Sequence, residues 1–173
     1  MRLKITPLLL SLIAASGIFA HAIPASAAVE VGKGAPEFTL PRQGGGLVKL
    51  ADFRGHVVYL DFWASWCGPC RQSFPWMNQT LARFKSRGLE IVAVNVDKKS
   101  ADVDAFLAKT PATFPVALDP DGNVPGNYGL KGMPTSFLIG ADGKVQMIHA
   151  SFKDSDRAEL EARIEAELAK ARP

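Results

Sequence analysis

The hydrophobic positions of this chain alternate between continuous apolar runs and runs with helical spacing. Residues 56–63 and 89–96 are almost wholly apolar and rich in β-branched and aromatic residues, which is typical of strands buried on both faces. Between them, apolar side chains recur every three or four residues and predict a helix over about residues 67–88, with Pro75 inside it. Strands that alternate with helices in this way predict an α/β domain.

The rest of the pattern predicts shorter elements on either side of these runs. They are two short strands at 38–40 and 47–50 joined by a glycine turn, a helix capped by Ser100, a strand at 113–118, a hairpin of strands at 135–139 and 144–150, and a helix over 156–171 that starts with a capping box from Asp156 to Glu159. No internal repeat or linker interrupts the pattern. We therefore expect one domain with a central mixed β-sheet, flanking helices and an N-terminal β-hairpin extension.

The first residues have the pattern of a signal peptide. Arg2 and Lys4 precede a long apolar stretch, and residues 25–27 (Ala-Ser-Ala) form a small-x-small cleavage site. The predicted division is a signal peptide over residues 1–27 and a folded domain over residues 28–173. An uncleaved membrane anchor is the alternative, because the stretch is near the ~20 residues that a membrane span needs. Both interpretations export the domain to the periplasm, where disulfides persist.

Length and composition narrow the class of protein. The chain has 173 residues, of which 47% are hydrophobic and 21% charged, so it can bury a substantial core, which argues against intrinsic disorder. The net charge is +3, the charges are mixed along the chain, and Arg2 and Lys4 of the leader supply part of the excess. We therefore expect no nucleic-acid binding.

The chain contains two cysteines, Cys67 and Cys70. A bridge between them closes too small a loop to act as a structural staple. Two cysteines do not complete a four-ligand zinc site, and the histidines outside the leader, His56 and His149, lack short ligand spacing. The prediction is a redox pair with no metal and no cofactor. Two buried free thiols, or half of a metal site, are the alternatives.

The position of the pair indicates its chemistry. The unpaired amides and the dipole of a helix N-terminus stabilise a thiolate at Cys67, and Cys70 lies one turn later within bridging reach. Pro69 pre-sets a helical φ in the first turn, and Gly68 adds no side chain beside the sulfur.

Asp61 falls inside an apolar strand, where a carboxyl without a partner has a raised pKa.

Residues 61–70 (DFWASWCGPC) resemble the active-site segment of thioredoxins. Residues 34–40 (GAPEFTL) and 118–145 resemble the exported thioredoxins of the TlpA-like and ResA-like family, and the resemblance extends over residues 31–150. It implies a thioredoxin fold and a thiol–disulfide oxidoreductase. Such proteins are usually reductants of particular extracytoplasmic partners, for example apocytochrome c or the copper-site thiols of oxidase assembly.

The resemblance also implies catalytic roles. Cys67 is the expected nucleophile, Cys70 the resolving thiol, and Asp61 the acceptor of the proton of Cys70. The chain departs from several reductants of cytochrome maturation, which carry an acidic residue where Ser73 stands and commonly Glu in place of Gly68. This departure weakens an assignment to cytochrome maturation.

The remaining site residues are expected to bind substrate. Met133 and Pro134 match the cis-proline loop of the family, which faces the CxxC motif and offers the backbone of Met133 for strand-like pairing with a substrate peptide. An ordinary turn before a strand is the alternative. Trp66, Gly68 and Pro69 complete the expected docking surface beside the redox pair.

The expected partners are thiols and disulfides of proteins. A reductant in an oxidising compartment needs an electron supply, which implies a membrane electron donor of the DsbD or CcdA type. Membrane contact is expected only through an uncleaved leader, and the protein is expected to be a monomer.

Three other functions are alternatives for an exported chain with this pattern. The first is a thiol oxidant that forms disulfides. The second is a copper-delivery protein of the Sco type, which would want a Cys-x-x-x-Cys spacing and a distal His ligand, neither of which is evident. The third is a peroxiredoxin, which would need a lone peroxidatic cysteine with a preceding Thr, a pattern that this chain lacks.

Overall fold

The computed structural model describes residues 29–171, so the predicted signal peptide lies outside the described residues. The strands of this range are β1 (Thr39–Pro41), β2 (Leu47–Lys49), β3 (Val57–Trp63), β4 (Leu89–Asn95), β5 (Val116–Leu118), β6 (Thr135–Ile139) and β7 (Val145–Ala150). Its α-helices are α1 (Gly68–Phe84), α2 (Ser100–Lys109), α3 (Asn123–Asn127) and α4 (Arg157–Lys170), with 3-10 turns at Leu50–Phe53, Lys85–Arg87 and Asp154–Asp156. None of the described helices is long and apolar enough to cross a membrane.

Five strands form one mixed sheet in the order β5-β4-β3-β6-β7. β3 runs parallel to β4, and β4 parallel to β5, whereas β6 is antiparallel to both β3 and β7. β1 and β2 pair separately as an antiparallel hairpin. The predicted thioredoxin-like fold, with a central mixed sheet and an N-terminal hairpin, is confirmed.

The core lies on both faces of the central strand, β3, which is buried along its whole length. Alternate side chains of a strand point to opposite faces. Leu60 and Phe62 accordingly pack with Phe137 and the hairpin, whereas Tyr59 and Trp63 pack with the buried faces of α1 and α4. Both faces of β3 are therefore covered, which explains the continuous apolar run that predicted it.

The first half of α1 is anchored by a cluster of aromatic rings. The ring centroid of Phe74 lies 4.7 Å from that of Trp63, 5.0 Å from Phe106 and 5.4 Å from Phe114, in edge-to-face arrangements. Phe74 is fully buried. This cluster holds the helix that begins directly after Cys67 against the end of β3.

The strand predicted at 113–118 is shorter in the structure and begins at Val116. The backbone N–H and the hydroxyl of Thr113 both donate to Oδ1 of Asn78, each at 2.8 Å. Pro115 has no N–H to contribute to a ladder. A side chain of α1 thus takes up the backbone donor that a longer strand would use.

The cap predicted at Ser100 is wrong, and Asp156 holds the predicted N-cap position of α4 without making the capping bond. The N-cap residue of α2 is Lys99 and makes no side-chain capping bond, so Ser100 is the first helical residue instead. The carboxylate of Asp156 accepts the N–H of Lys153 at 2.8 Å, in the 3-10 turn before α4, and caps no amide of α4 itself. Both residues suit more than one position at a helix start, and the local backbone decides between them.

We expect Phe74→Ala to lower the free energy of unfolding by about 3–5 kcal/mol, because the lost ring leaves a cavity among Trp63, Phe106 and Phe114. Urea denaturation of the oxidised protein, followed by circular dichroism, measures the change. Leu47→Ala is the control: this side chain is 58% exposed, and the change should stay within about 0.5 kcal/mol. A loss below about 1 kcal/mol for Phe74→Ala would show that the cluster does not anchor α1.

Candidate active site

The two cysteines are joined by a disulfide at the start of α1. Cys67 is the N-cap residue, and its Sγ accepts the backbone N–H of Cys70 at 3.3 Å. Their Cα atoms lie 5.3 Å apart, and Pro69 occupies the first turn, where a helix needs no amide. The predicted place of the pair, between a buried strand and a helix, is confirmed.

Little of the disulfide itself is exposed. Cys70 is fully buried and Cys67 is 4% exposed, whereas the neighbouring Trp66 is 69% exposed. A Cβ atom on Gly68 would meet nothing within 4 Å, so the space on that side is open. The approach to Cys67 is therefore bordered by Trp66 and Gly68.

The loop between β3 and the cysteines is held by a buried carboxylate of the neighbouring strand. Asp97, just after β4, accepts the backbone N–H of Ser65 at 2.8 Å and the Ser65 hydroxyl at 3.0 Å. The side-chain amide of Asn95 donates to the same carboxylate at 2.8 Å. These bonds fix the backbone that leads into Trp66 and Cys67.

A second loop, before β6, lies beside the same surface. Its Met133–Pro134 peptide bond is cis, as predicted. Met133 lines an apolar groove of about 490 Å³ together with Trp66 and Leu130. The carbonyl of Pro134 accepts the N–H of Ser151 at 2.8 Å, whereas Met133 makes no backbone–backbone hydrogen bond within the described part of the chain. The backbone of Met133 is thus free to pair with another chain.

Asp61 lies in the middle of β3, in register with Ala93 of β4 and Ser136 of β6. It shares the sheet face of Tyr59 and Trp63, the face that α1 covers, and is 1% exposed. The Ser136 hydroxyl donates to Oδ1 at 2.6 Å, while the buried Oδ2 has no hydrogen-bond partner. Burial raises the pKa of Asp61 to about 7, and the bond from Ser136 opposes part of that rise. The predicted buried carboxyl with a raised pKa is confirmed.

The family model described as the AhpC/TSA family matches residues 31–148. The chain belongs to the AhpC/TSA family. The thiol-disulfide oxidoreductase ResA of Bacillus subtilis is 40% identical over 142 residues, which is 81% of this chain and 79% of ResA. A crystal structure assigned as the thiol:disulfide interchange protein DsbE of Chlorobium tepidum is 56% identical, with a TM-score of 0.80 over 82% of this chain and 99% of that chain. A secreted Mycobacterium tuberculosis disulfide oxidoreductase, 23% identical, shares the fold with a TM-score of 0.66 over 75% of this chain and 95% of that chain.

This AhpC/TSA family member is a thioredoxin-like thiol–disulfide oxidoreductase similar to ResA and DsbE. The likeness covers most of the chain and includes the CxxC pair. The resemblance drawn from the sequence over residues 31–150 is therefore confirmed.

Two polar groups of the site in this family member were missed by sequence reasoning. Ser136 bonds to Asp61, and Asp97 bonds to the loop before the cysteines. The available signal was a polar residue within or directly after an otherwise apolar strand, since a buried polar group requires a partner. That signal locates the residue but does not name the partner.

Metal ligands are not gathered at this site. Within residues 29–171, no group of three or more His, Cys, Asp or Glu residues could hold a metal ion. His149 lies on β7, and its Nε2 is 3.4 Å from Oδ2 of Asp156, an ion-pair distance without hydrogen-bond geometry. Ser73 is buried, and its hydroxyl donates to the carbonyl of Cys70 at 3.0 Å, so this position contributes a helix contact and no charge.

The raised pKa of Asp61 makes the stability of this family member depend on pH. The carboxyl titrates at 3.8 in the unfolded chain and at about 7 in the folded one, so the folded state binds the extra proton between these values. The free energy of unfolding should therefore fall by about 4 kcal/mol, relative to Asp61→Asn, between about pH 3.5 and pH 8. Urea denaturation of both oxidised proteins measures this difference. A difference that stays constant across the range would contradict the assignment.

Proposed function

We propose that this protein is an extracytoplasmic reductant of specific protein disulfides. The observation that carries the proposal is the buried carboxyl of Asp61, which has one unpartnered oxygen and lies on the face that α1 covers with its cysteines. A proton acceptor in that place favours a reductant, whose dithiol attacks a substrate disulfide. The second thiol of the pair must lose its proton to complete this exchange.

The reaction begins with the thiolate of Cys67. The amide of Cys70 already points at Sγ of Cys67 at 3.3 Å, and the N-terminus of α1 adds its dipole, so negative charge on this sulfur is stabilised. The thiolate attacks one sulfur of the substrate disulfide. A mixed disulfide forms, and the other substrate sulfur leaves as a thiolate and takes up a proton.

The substrate is held in the groove between Trp66 and Met133. An extended peptide there pairs with the free backbone of Met133 beside Pro134, while the exposed indole of Trp66 covers an apolar side chain of the peptide. Gly68 and Pro69 form the open edge on which the substrate sulfur approaches.

The second step releases the reduced substrate. Cys70 passes its proton to Oδ2 of Asp61 and attacks Sγ of Cys67. The substrate leaves as a thiolate, which takes up a proton, and the disulfide between Cys67 and Cys70 forms. Two electrons have moved from the protein dithiol to the substrate disulfide, and a membrane electron donor of the DsbD or CcdA type then returns two electrons.

The reducing direction is supported by the dipeptide between the cysteines. Gly68 and Pro69 are also the dipeptide of thioredoxin, a reductant at about −270 mV, whereas the oxidant DsbA lies at about −120 mV. We further propose that the signal peptide over residues 1–27 directs the domain to the periplasm, where it acts as a monomer on substrates such as apocytochrome c or copper-site thiols.

Cys67→Ser should abolish the catalysis of insulin reduction by dithiothreitol, because no mixed disulfide can form without the attacking sulfur. The measurement is the onset of turbidity as the insulin B chain precipitates. The control is Ser155→Ala, a substitution in the 3-10 turn before α4, which should keep the wild-type rate. Catalysis that persists in Cys67→Ser would refute the mechanism.

Cys70→Ala should accumulate natural substrates as mixed disulfides on Cys67, since the resolving thiol is absent. Non-reducing electrophoresis of periplasmic extracts, followed by mass spectrometry, identifies them, and the double variant Cys67→Ser/Cys70→Ala is the matched control.

In the same cells the cysteine pair of the wild-type protein should be mostly in the dithiol state, which thiol alkylation measures. A pair that is mostly disulfide in the cell would support an oxidant and overturn the reductant role.

A further inference from the structure

Ser136 lies on β6, which pairs with β3 on one side and with β7 on the other. Its register partner on β3 is Asp61, and its register partner on β7 is His149. Directly paired residues of a sheet point to the same face, so all three side chains face the layer formed by α1 and α4. Ser136 is 2% exposed, and it is a hydroxyl in a strand whose other four residues are also buried.

Within the described part of the chain, the side chain of Asp61 accepts its hydrogen bond from the hydroxyl of Ser136. It reaches Oδ1 at 2.6 Å, while Oδ2 remains buried and without a partner. The register partner on the other side is Ala93, which offers no side-chain donor. The two oxygens of one carboxyl are therefore made inequivalent by a single residue.

We propose that Ser136 is a positioning residue for proton transfer: it holds Oδ1 of Asp61, so that Oδ2 is the oxygen presented to Cys70, and it favours the ionised carboxylate that accepts the proton. This inference rests on the role of Asp61 in the proposed function. Hydrogen bonds to a charged acceptor are stronger than those to a neutral one, so the donor stabilises the ionised form.

Among the described groups around Asp61, the Ser136 hydroxyl is the one that favours the ionised carboxylate. Tyr59 from β3 faces the same layer, and burial followed by the charge of Asp61 raises the pKa of its phenol, so it remains neutral. From β7, Nε2 of His149 lies 3.4 Å from Oδ2 of Asp156, an ion-pair distance without hydrogen-bond geometry. From α1, the cysteines bring no positive charge. Among the described residues, the Ser136 bond is what opposes the effect of burial on the pKa of Asp61.

Ser136→Ala tests the inference through the titration of Asp61. In the oxidised protein neither cysteine titrates, so the carboxyl ¹³C chemical shift of Asp61 reports its own midpoint. The midpoint should rise by about one pH unit from about 7. Ser136→Thr restores a hydroxyl and should return the midpoint toward the wild-type value, which a role in packing alone would not require.

The same variants are compared in the resolution step, by stopped-flow release of a thiol from the mixed disulfide on Cys67. At pH 7, Ser136→Ala should resolve about five-fold more slowly, since about half of the carboxyl is ionised in the wild type and about a tenth after a one-unit rise. Its pH profile should move upward by the same amount. Ser136→Ala/Asp61→Asn should match Asp61→Asn.

Two results distinguish a failure of the role of Ser136 from a failure of the proposed function. An unmoved Asp61 midpoint in Ser136→Ala, together with slow resolution in Asp61→Asn, overturns the role of Ser136 and leaves the proposed function standing. Wild-type resolution and an unchanged pH profile in Asp61→Asn refute the proton step itself, and the role of Ser136 falls with it.

Discussion

The burial of β3 on both faces is the constraint on which the rest of the structure depends. β4 and β6 pair with its two edges, and helices and the hairpin cover its two faces. Because it cannot move independently of these neighbours, the turn that follows it presents Cys67 at a defined place, and Asp97 ties that turn to β4. The chemistry is thereby built on rigid elements, and the approach to Cys67 beside Trp66 and Gly68 is open.

Asp61 is the one departure from apolar character within β3, and it lowers stability. A carboxyl buried to this extent favours the neutral form, so the free energy of unfolding falls as the pH rises from 3.8 to about 7. An apolar residue would pack there without that loss. The packing of the aromatic cluster around Phe74 offsets this loss of stability, and the cluster lies on the same helix that carries the cysteines. This loss of stability thus falls at the residue that the proposed reaction uses as its base.

The sequence is most informative where one local pattern suffices. β3 and β4 are continuous apolar runs because both their faces are covered, and β6 and β7 follow from a short glycine-containing turn between two apolar runs. The redox pair follows from its spacing and its place before a helix. The strand predicted at 113–118 is shorter because Asn78 of α1 takes up the backbone N–H of Thr113, and the carboxylate of Asp156 binds the N–H of Lys153 instead of an amide of α4. Ser100 does not cap α2 because it is already the first residue of that helix, after Lys99.

Residues that lie close together in the chain specify the α/β pattern, the cysteine pair and the carboxyl inside an apolar strand. Which groups these residues meet depends on the packing of segments that are distant in the chain. Ser136 is 75 positions from Asp61 and reaches it through the β3–β6 register, and Ser65 meets Asp97 across 32 positions. Such pairings depend on the register and order of strands, which long-range packing sets and local composition does not record.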